Sequence, residues 1–256
     1  MKGSRPVLWH ISVSHYNEKA RWALDYKRIP HRRRGLPGGV HMLAALLLTR
    51  GETVTFPVLV LDGKGIGDST AIIGELERRW PDPPLYPEDP AARRRALDLE
   101  DYFDEELGPA IRLVGWHEMS RAPERLAELS ADFLPPGVRD DPRAAAAAGR
   151  YAAAFTNARY GVKNEEAAER SRQKVLAALD RLEAELDGGD YLVGDRFSVA
   201  DLTAASLFYP LALHPDAPSL GKLPEALERW RAPLAERPGG RWVAEIYRRH
   251  RPPPVG

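Results

Sequence analysis

Two serines stand where a hydroxyl can act on an anion. Ser14 follows the apolar run Val7 to Ile11 and opens a helical stretch reaching Arg28. Ser69 lies in Gly67-Asp68-Ser69-Thr70-Ala71 and precedes Ile72, Ile73, Leu76 and Trp80 at helical spacing. Free amide N–H groups at a helix start favour an anion, and a hydroxyl there adds a donor. Between the two serines, Phe56-Pro57 opens the run Val58-Leu59-Val60-Leu61. Proline cannot donate to a ladder, so this strand begins at an open edge. Two helix starts and one open edge can hold an extended, peptide-like molecule carrying a thiolate and a carboxylate. Each serine alone reads equally well as a plain helix cap.

Other chemistries are excluded by inspection. The 256 residues include no cysteine. Disulfides, zinc ribbons, iron–sulfur clusters and a cysteine nucleophile are therefore out. Gly63, Gly65 and Gly67 lack dinucleotide-loop spacing, His117-Glu118 lacks the second histidine of a zincin, and the seven histidines show no metal spacing. Basic and acidic side chains balance at 37 each, which argues against a nucleic-acid surface. Arg32-Arg33-Arg34 reads as a solvated strand end. Ser69 stands near a Gly-x-Ser-x-Gly elbow, which keeps a serine hydrolase as an alternative. That fold needs a long series of βα units afterwards, and none follows.

The elements that must position these residues fall into two textures. Residues 6–81 read as β-α-β-α-β-β-α: strand Val7–Ile11, helix Ser14–Arg28, strand His31–Leu36, loop Pro37-Gly38-Gly39, helix Val40–Leu48, strand Phe56–Leu61, a hairpin at Asp62-Gly63 with a short strand to Gly67, and a helix from Asp68. Residues 82–89 form a proline-rich linker. From residue 90 to 256 strands disappear, and Ala, Leu, Glu and Arg dominate, as in helices. Helices are expected over 90–119, 141–160, 164–186, 198–211, 224–236 and 240–249. The stretch 120–165 looks long and irregular, broken at Leu134-Pro135-Pro136-Gly137. Ser198-Val199-Ala200-Asp201 is a capping-box pattern. No signal-peptide core follows Met1, and the longest apolar run, Met42 to Leu48, is far short of the ~20 residues of a membrane span. A cytoplasmic protein without a membrane partner is expected.

Five landmarks in order resemble the glutathione S-transferase family. Ser14-His15-Tyr16-Asn17-Glu18-Lys19-Ala20-Arg21 is similar to its first-helix motif, and Thr55-Phe56-Pro57-Val58-Leu59 to its cis-proline strand. Gly67-Asp68-Ser69-Thr70-Ala71-Ile72-Ile73 resembles its acid-Ser-x-Ala-Ile segment. Leu85-Tyr86-Pro87 with Asp89-Pro90-Ala91-Ala92-Arg93 resembles the interdomain linker, and Tyr191 to Asp201 the helical-core capping box. The resemblance implies an α/β thioredoxin-like N-terminal domain followed by an all-α C-terminal domain. It implies glutathione as co-substrate, no metal, a small hydrophobic electrophile and a homodimer. By position, Ser14 is the catalytic donor to the glutathione sulfur. Phe56, held by Pro57, pairs with the cysteinyl backbone, while Asp68 and Ser69 take the γ-glutamyl end. His15, Tyr16 and Trp116 are candidates for the electrophile pocket, each with a bland reading beside it: a surface histidine, a packed tyrosine and a helix-core tryptophan. Ser12 is a weaker rival to Ser14.

The departures from that pattern are His15, where the family often has proline, and Asn17, where a Cys or Ser is common. Both are expected at the rim of the site, and they keep a non-catalytic glutathione-binding protein as an alternative. Without cysteine, any thiol chemistry must use the sulfur of a bound ligand.

Overall fold

The computed structural model describes residues 5–36 and 39–255; the Pro37-Gly38 part of the expected loop lies outside them. Strands β1 (Val7–His10), β2 (Arg32–Gly35), β3 (Val58–Leu61) and β4 (Lys64–Gly67) form one sheet in the order β2-β1-β3-β4. Only β1 and β2 run parallel; β3 and β4 are antiparallel to their neighbours. Alternation along the strands decides what each face covers. Leu8, Leu59 and Leu61 bury against α1 (His15–Tyr26) and α3 (Ser69–Arg79). Trp9, Val58 and Val60 turn the other way, toward α2 (Val40–Leu48). Helices on both faces of a small sheet make the N-terminal unit thioredoxin-like.

After the sheet, the elements among the described residues are all helices. The expected 90–119 helix is three segments: α4 (Pro90–Tyr102), a π-helical turn (Phe103–Leu107) and α5 (Gly108–Ser120). Then follow α6 (Pro123–Ala131), α7 (Pro142–Tyr160), α8 (Glu165–Leu186), α9 (Val199–Ala212), α10 (Glu225–Ala235) and α11 (Pro238–His250). The 120–165 stretch is more regular than its composition suggested. It contains α6, and α7 packs on it so closely that a Cβ at Gly149 would come within 2.9 Å of the Ala127 backbone. Helix α9 is buried on nearly all sides, as a central helix should be.

Helix α1 lies between the sheet and the helical domain, which explains its sequence. Beside its apolar stripe, Glu18, Lys19, Arg21 and Asp25 are all buried. Each has partners, as buried charges require. Glu18 takes Arg21 at 2.8 Å and Arg251 at 2.7 Å. Asp25 takes Arg33, Arg251 at 2.8 Å and the Val255 N–H at 3.0 Å. Two expectations change here. Arg33 is not simply a solvated strand end, although Arg32 and Arg34 are exposed. The proline-rich tail, without an expected purpose, docks onto α1.

Asp201 accepts from the Leu192 N–H, the Ser198 N–H and the Ser198 hydroxyl, each at 2.8 Å. It thereby pins the preceding loop to the start of α9. Burial pushes its carboxyl up from 3.8 to about 6, against those hydrogen bonds. The folded state then binds a proton that the unfolded chain does not hold. Its contribution to stability therefore grows as pH falls from the folded value to the unfolded one. In urea titrations, stability relative to Asp201→Asn is expected to rise by about 2–3 kcal/mol from pH 7 to pH 4. A difference that is flat or shrinks on acidification would contradict it.

Candidate functional site

The loop between β1 and α1 carries Ser14 as the N-cap of α1, in extended conformation (φ −88°, ψ 127°). Its side chain does not cap the helix. Instead its Oγ accepts from Asn17 Nδ2 at 2.7 Å. The same amide donates to the Phe56 carbonyl at 3.2 Å, and Asn17 Oδ1 accepts from the Ile11 N–H at 3.1 Å. A flipped amide would set an NH2 against the Ile11 N–H, so the network fixes its orientation. Asn17 is fully buried, not at the rim. It ties the serine loop to the Phe56–Pro57 peptide, which is cis. Because an oxygen lone pair of Ser14 is taken, its proton is left to donate elsewhere. Arg21 supports the same loop, donating to the carbonyls of Ile11 at 3.2 Å and Ser12 at 2.9 Å. The Tyr209 hydroxyl donates to the Val13 carbonyl at 2.6 Å, fastening the loop to α9.

Asp68 and Ser69 begin α3. Asp68 is the exposed N-cap with φ +69°, and its carboxylate accepts from the Ala71 N–H at 3.0 Å. Ser69 is 2 % exposed. A cavity of about 730 Å³ joins Ser14, Phe56, Pro57, Asp68 and Ser69 to the helical domain. His15, Tyr16 and Trp116 line it as well, so all eight sequence-selected residues border one space. Its far wall is apolar, with Ile111 and Val114 from α5, Phe155 from α7 and Leu227 from α10.

His15 is not a surface residue but 5 % exposed, and its Nε2 has no partner. Burial and, secondarily, the charge of Arg112 push its pKa down to about 3, so the ring is neutral at pH 7. Tyr16 does more than pack. Its hydroxyl donates to the Asp104 carbonyl at 2.6 Å, and burial raises its pKa. That contact needs Gly108, where a Cβ would sit 2.1 Å from the tyrosine oxygen. Trp116 lines the cavity and also packs beside Met119, Leu126 and Leu129.

Behind the site, Lys19 is fully buried. Its Nζ reaches Glu100 at 2.8 Å, Thr70 Oγ1 at 2.9 Å and the Asp104 carboxylate. The sequence placed Asn17 only at the rim of the site and gave no role to Lys19, Asp104 or Arg112. The Ser-x-x-Asn spacing at 14 and 17 matches an N-cap and its N3 partner, and was a usable signal for Asn17. Asp104 gets its place from the π-helical turn, which no local pattern announced.

The N-terminal domain family of glutathione S-transferases matches residues 8–84, and the C-terminal domain family matches residues 130–238. The chain belongs to the glutathione S-transferase family. A stretch of 79 residues is 32% identical to glutathione S-transferase U7 of Arabidopsis thaliana, covering 30% of this chain and 34% of that protein. A solved glutathione S-transferase from Pseudomonas fluorescens superimposes with TM-score 0.62 at 19% identity, over 98% of this chain and 99% of that one. Another from Methylobacterium radiotolerans, in complex with glutathione sulfonate, gives 0.54 at 22% identity, over 94% and 95%. The Ser69 hydrolase alternative finds no support. Among the described residues one strand pair is parallel, and Ser69 follows an antiparallel edge strand rather than a buried parallel one. No described helix is long and apolar enough to cross a membrane.

Proposed function

We propose that the protein is a serine-type glutathione transferase, with residues 6–81 as its glutathione-binding domain and 90–256 as the helical domain completing the pocket. The observation that carries this reading is the Asn17 bridge. It holds Ser14 Oγ by its acceptor side, leaving the hydroxyl proton for a sulfur lying beside Phe56. The Phe56 N–H and the second lone pair of its carbonyl suit the cysteinyl backbone, added as an extra strand. Ser69 and the α3 amides suit the γ-glutamyl carboxylate, and Asp68 its ammonium. The glutathione thiolate forms a bond to an electrophilic carbon, the leaving group departs with its electron pair, and the thiol proton passes to solvent.

Glutathione is expected to bind the purified protein at millimolar concentration by calorimetry, and absence of heat at that concentration would end the reading. Turnover of a panel of electrophiles separates a transferase from the binding-only alternative. The reading includes a cytoplasmic homodimer, and sedimentation equilibrium at twice the chain mass is the expected result for the dimer.

A further inference from the structure

Arg112 differs from the other half-buried or buried arginines of this chain. Arg21, Arg172, Arg231 and Arg251 each hold a carboxylate. Arg112 makes no ion pair among the described residues, although it lines the cavity. Its guanidinium instead rests against two aromatic faces, Tyr160 of α7 at 4.7 Å and Tyr16 of α1 at 5.8 Å. The two rings flank the group, and its N–H groups make no hydrogen bond among the described residues, which leaves them for bidentate recognition of a carboxylate. Several groups nearby are engaged or neutral, while the Asp101 and Glu105 carboxylates border the same cavity without an ion pair to Arg112. Asp104 is held by Lys19 and Thr70, the Tyr16 hydroxyl is bound to the Asp104 carbonyl, and His15 beside it is neutral.

We propose that Arg112 selects an aromatic carboxylate as the second ligand of this pocket, its carboxylate on the guanidinium edge and its ring among the apolar wall residues. This names the electrophile class and so rests on the transferase reading. For a benzylic halide bearing a carboxylate, the thiolate would displace halide at the benzylic carbon while the carboxylate stays on Arg112.

The test is binding, so that it survives failure of catalysis. 2-Naphthoate and uncharged 2-naphthamide are titrated by calorimetry against the protein, alone and with S-methylglutathione filling the sites for glutathione's own carboxylates. Naphthoate is expected to bind about ten- to a hundred-fold more tightly than naphthamide, the scale of a charged hydrogen bond. Arg112→Gln should remove that preference and leave naphthamide binding unchanged. Equal affinities in the unaltered protein, or a preference that survives Arg112→Gln, would overturn the proposal. Where that variant does not fold, Arg112→Lys carries the test. A point charge in place of the fork should cut the preference several-fold, and an unchanged preference counts against it. If glutathione does not bind but naphthoate shows its dependence on Arg112, the transferase reading fails and this site stands.

Discussion

Replacing Lys19 by methionine is expected to lower the free energy of unfolding by about 3–5 kcal/mol, the cost of removing one partner from a buried ion pair. The methionine nearly matches the lysine stem, so lost packing is a minor part. The large part is what stays behind. Glu100 and Asp104 would face each other without a cation, and each already has one buried oxygen without a partner. The Thr70 hydroxyl, with one proton for the two carboxylates, is what remains to them. Burial already holds the Glu100 carboxyl above its usual range even with the lysine present. Without the lysine, taking up a proton becomes the least costly escape. The defect should therefore be larger at pH 8 than at pH 5, since the folded variant binds a proton that the unfolded chain releases. Urea unfolding at the two values checks both statements. Adding Glu100→Gln to the methionine variant should restore part of the loss by removing the second charge. A loss below about 1 kcal/mol, typical of an exposed pair, would mean that the cluster is solvated.

That cluster also shows where the sequence stops being readable. Strands β1, β3 and β4 and helices α1, α2 and α3 sit within a few residues of their apolar and turn signals, because those signals are local. Val58 to Leu61 is the clearest case, with a proline before it and Asp62-Gly63 after. Helix α6 was missed although Pro123 opens it and Leu126 and Leu129 give it a buried side. Its neighbours Leu134 to Gly137 drew the whole stretch toward irregularity. The partners of α1 could not be read at all. Lys19 lies more than eighty positions from both Glu100 and Asp104 in sequence, and only the docking of two domains brings it to them. The same is true of Arg251 and Glu18, which meet across the molecule.

Site residues divide along the same line. That Ser14, Pro57, Asp68 and Ser69 come together at one cavity was legible because each stands at an element boundary within a short motif. The group that holds Ser14 Oγ was not, because Asn17 read as a departure at the rim of the site. Its amide works through one local contact, Ser14, and one distant contact, the Phe56 carbonyl. The second depends on the sheet order. His15 was misplaced at the surface for a related reason: the helix that covers it, α5, begins at Gly108, far along the chain.

Ser14→Ala is expected to move the apparent pKa of kcat/KM for the electrophile, at saturating glutathione, from about 7 to about 8.5, the value of a free thiol. The hydroxyl supplies a hydrogen bond to a charged sulfur, worth roughly 1.5–3 kcal/mol, which covers the about 2 kcal/mol that such a shift requires. At pH 6.5 the variant would hold about twentyfold less thiolate. Each of its more basic thiolates reacts about fivefold faster, so the net loss there is about fivefold. The loss vanishes near about pH 8 and reverses above it, as the variant's thiol ionises. At pH 6.5, where most bound glutathione is still thiol, glutathione affinity should change little, and thermal stability should hold because Ser14 Oγ does not cap α1. Asn17→Ala makes the contrast. It frees the Ser14 hydroxyl to turn, so the same pKa should rise, and it also releases the Phe56 carbonyl and the Ile11 amide. Glutathione binding should therefore weaken in that variant and not in Ser14→Ala. If the pH profile of Ser14→Ala overlays that of the unaltered protein, the thiolate is stabilised by some other group. The α1 amides would then be the remaining donors within the same loop.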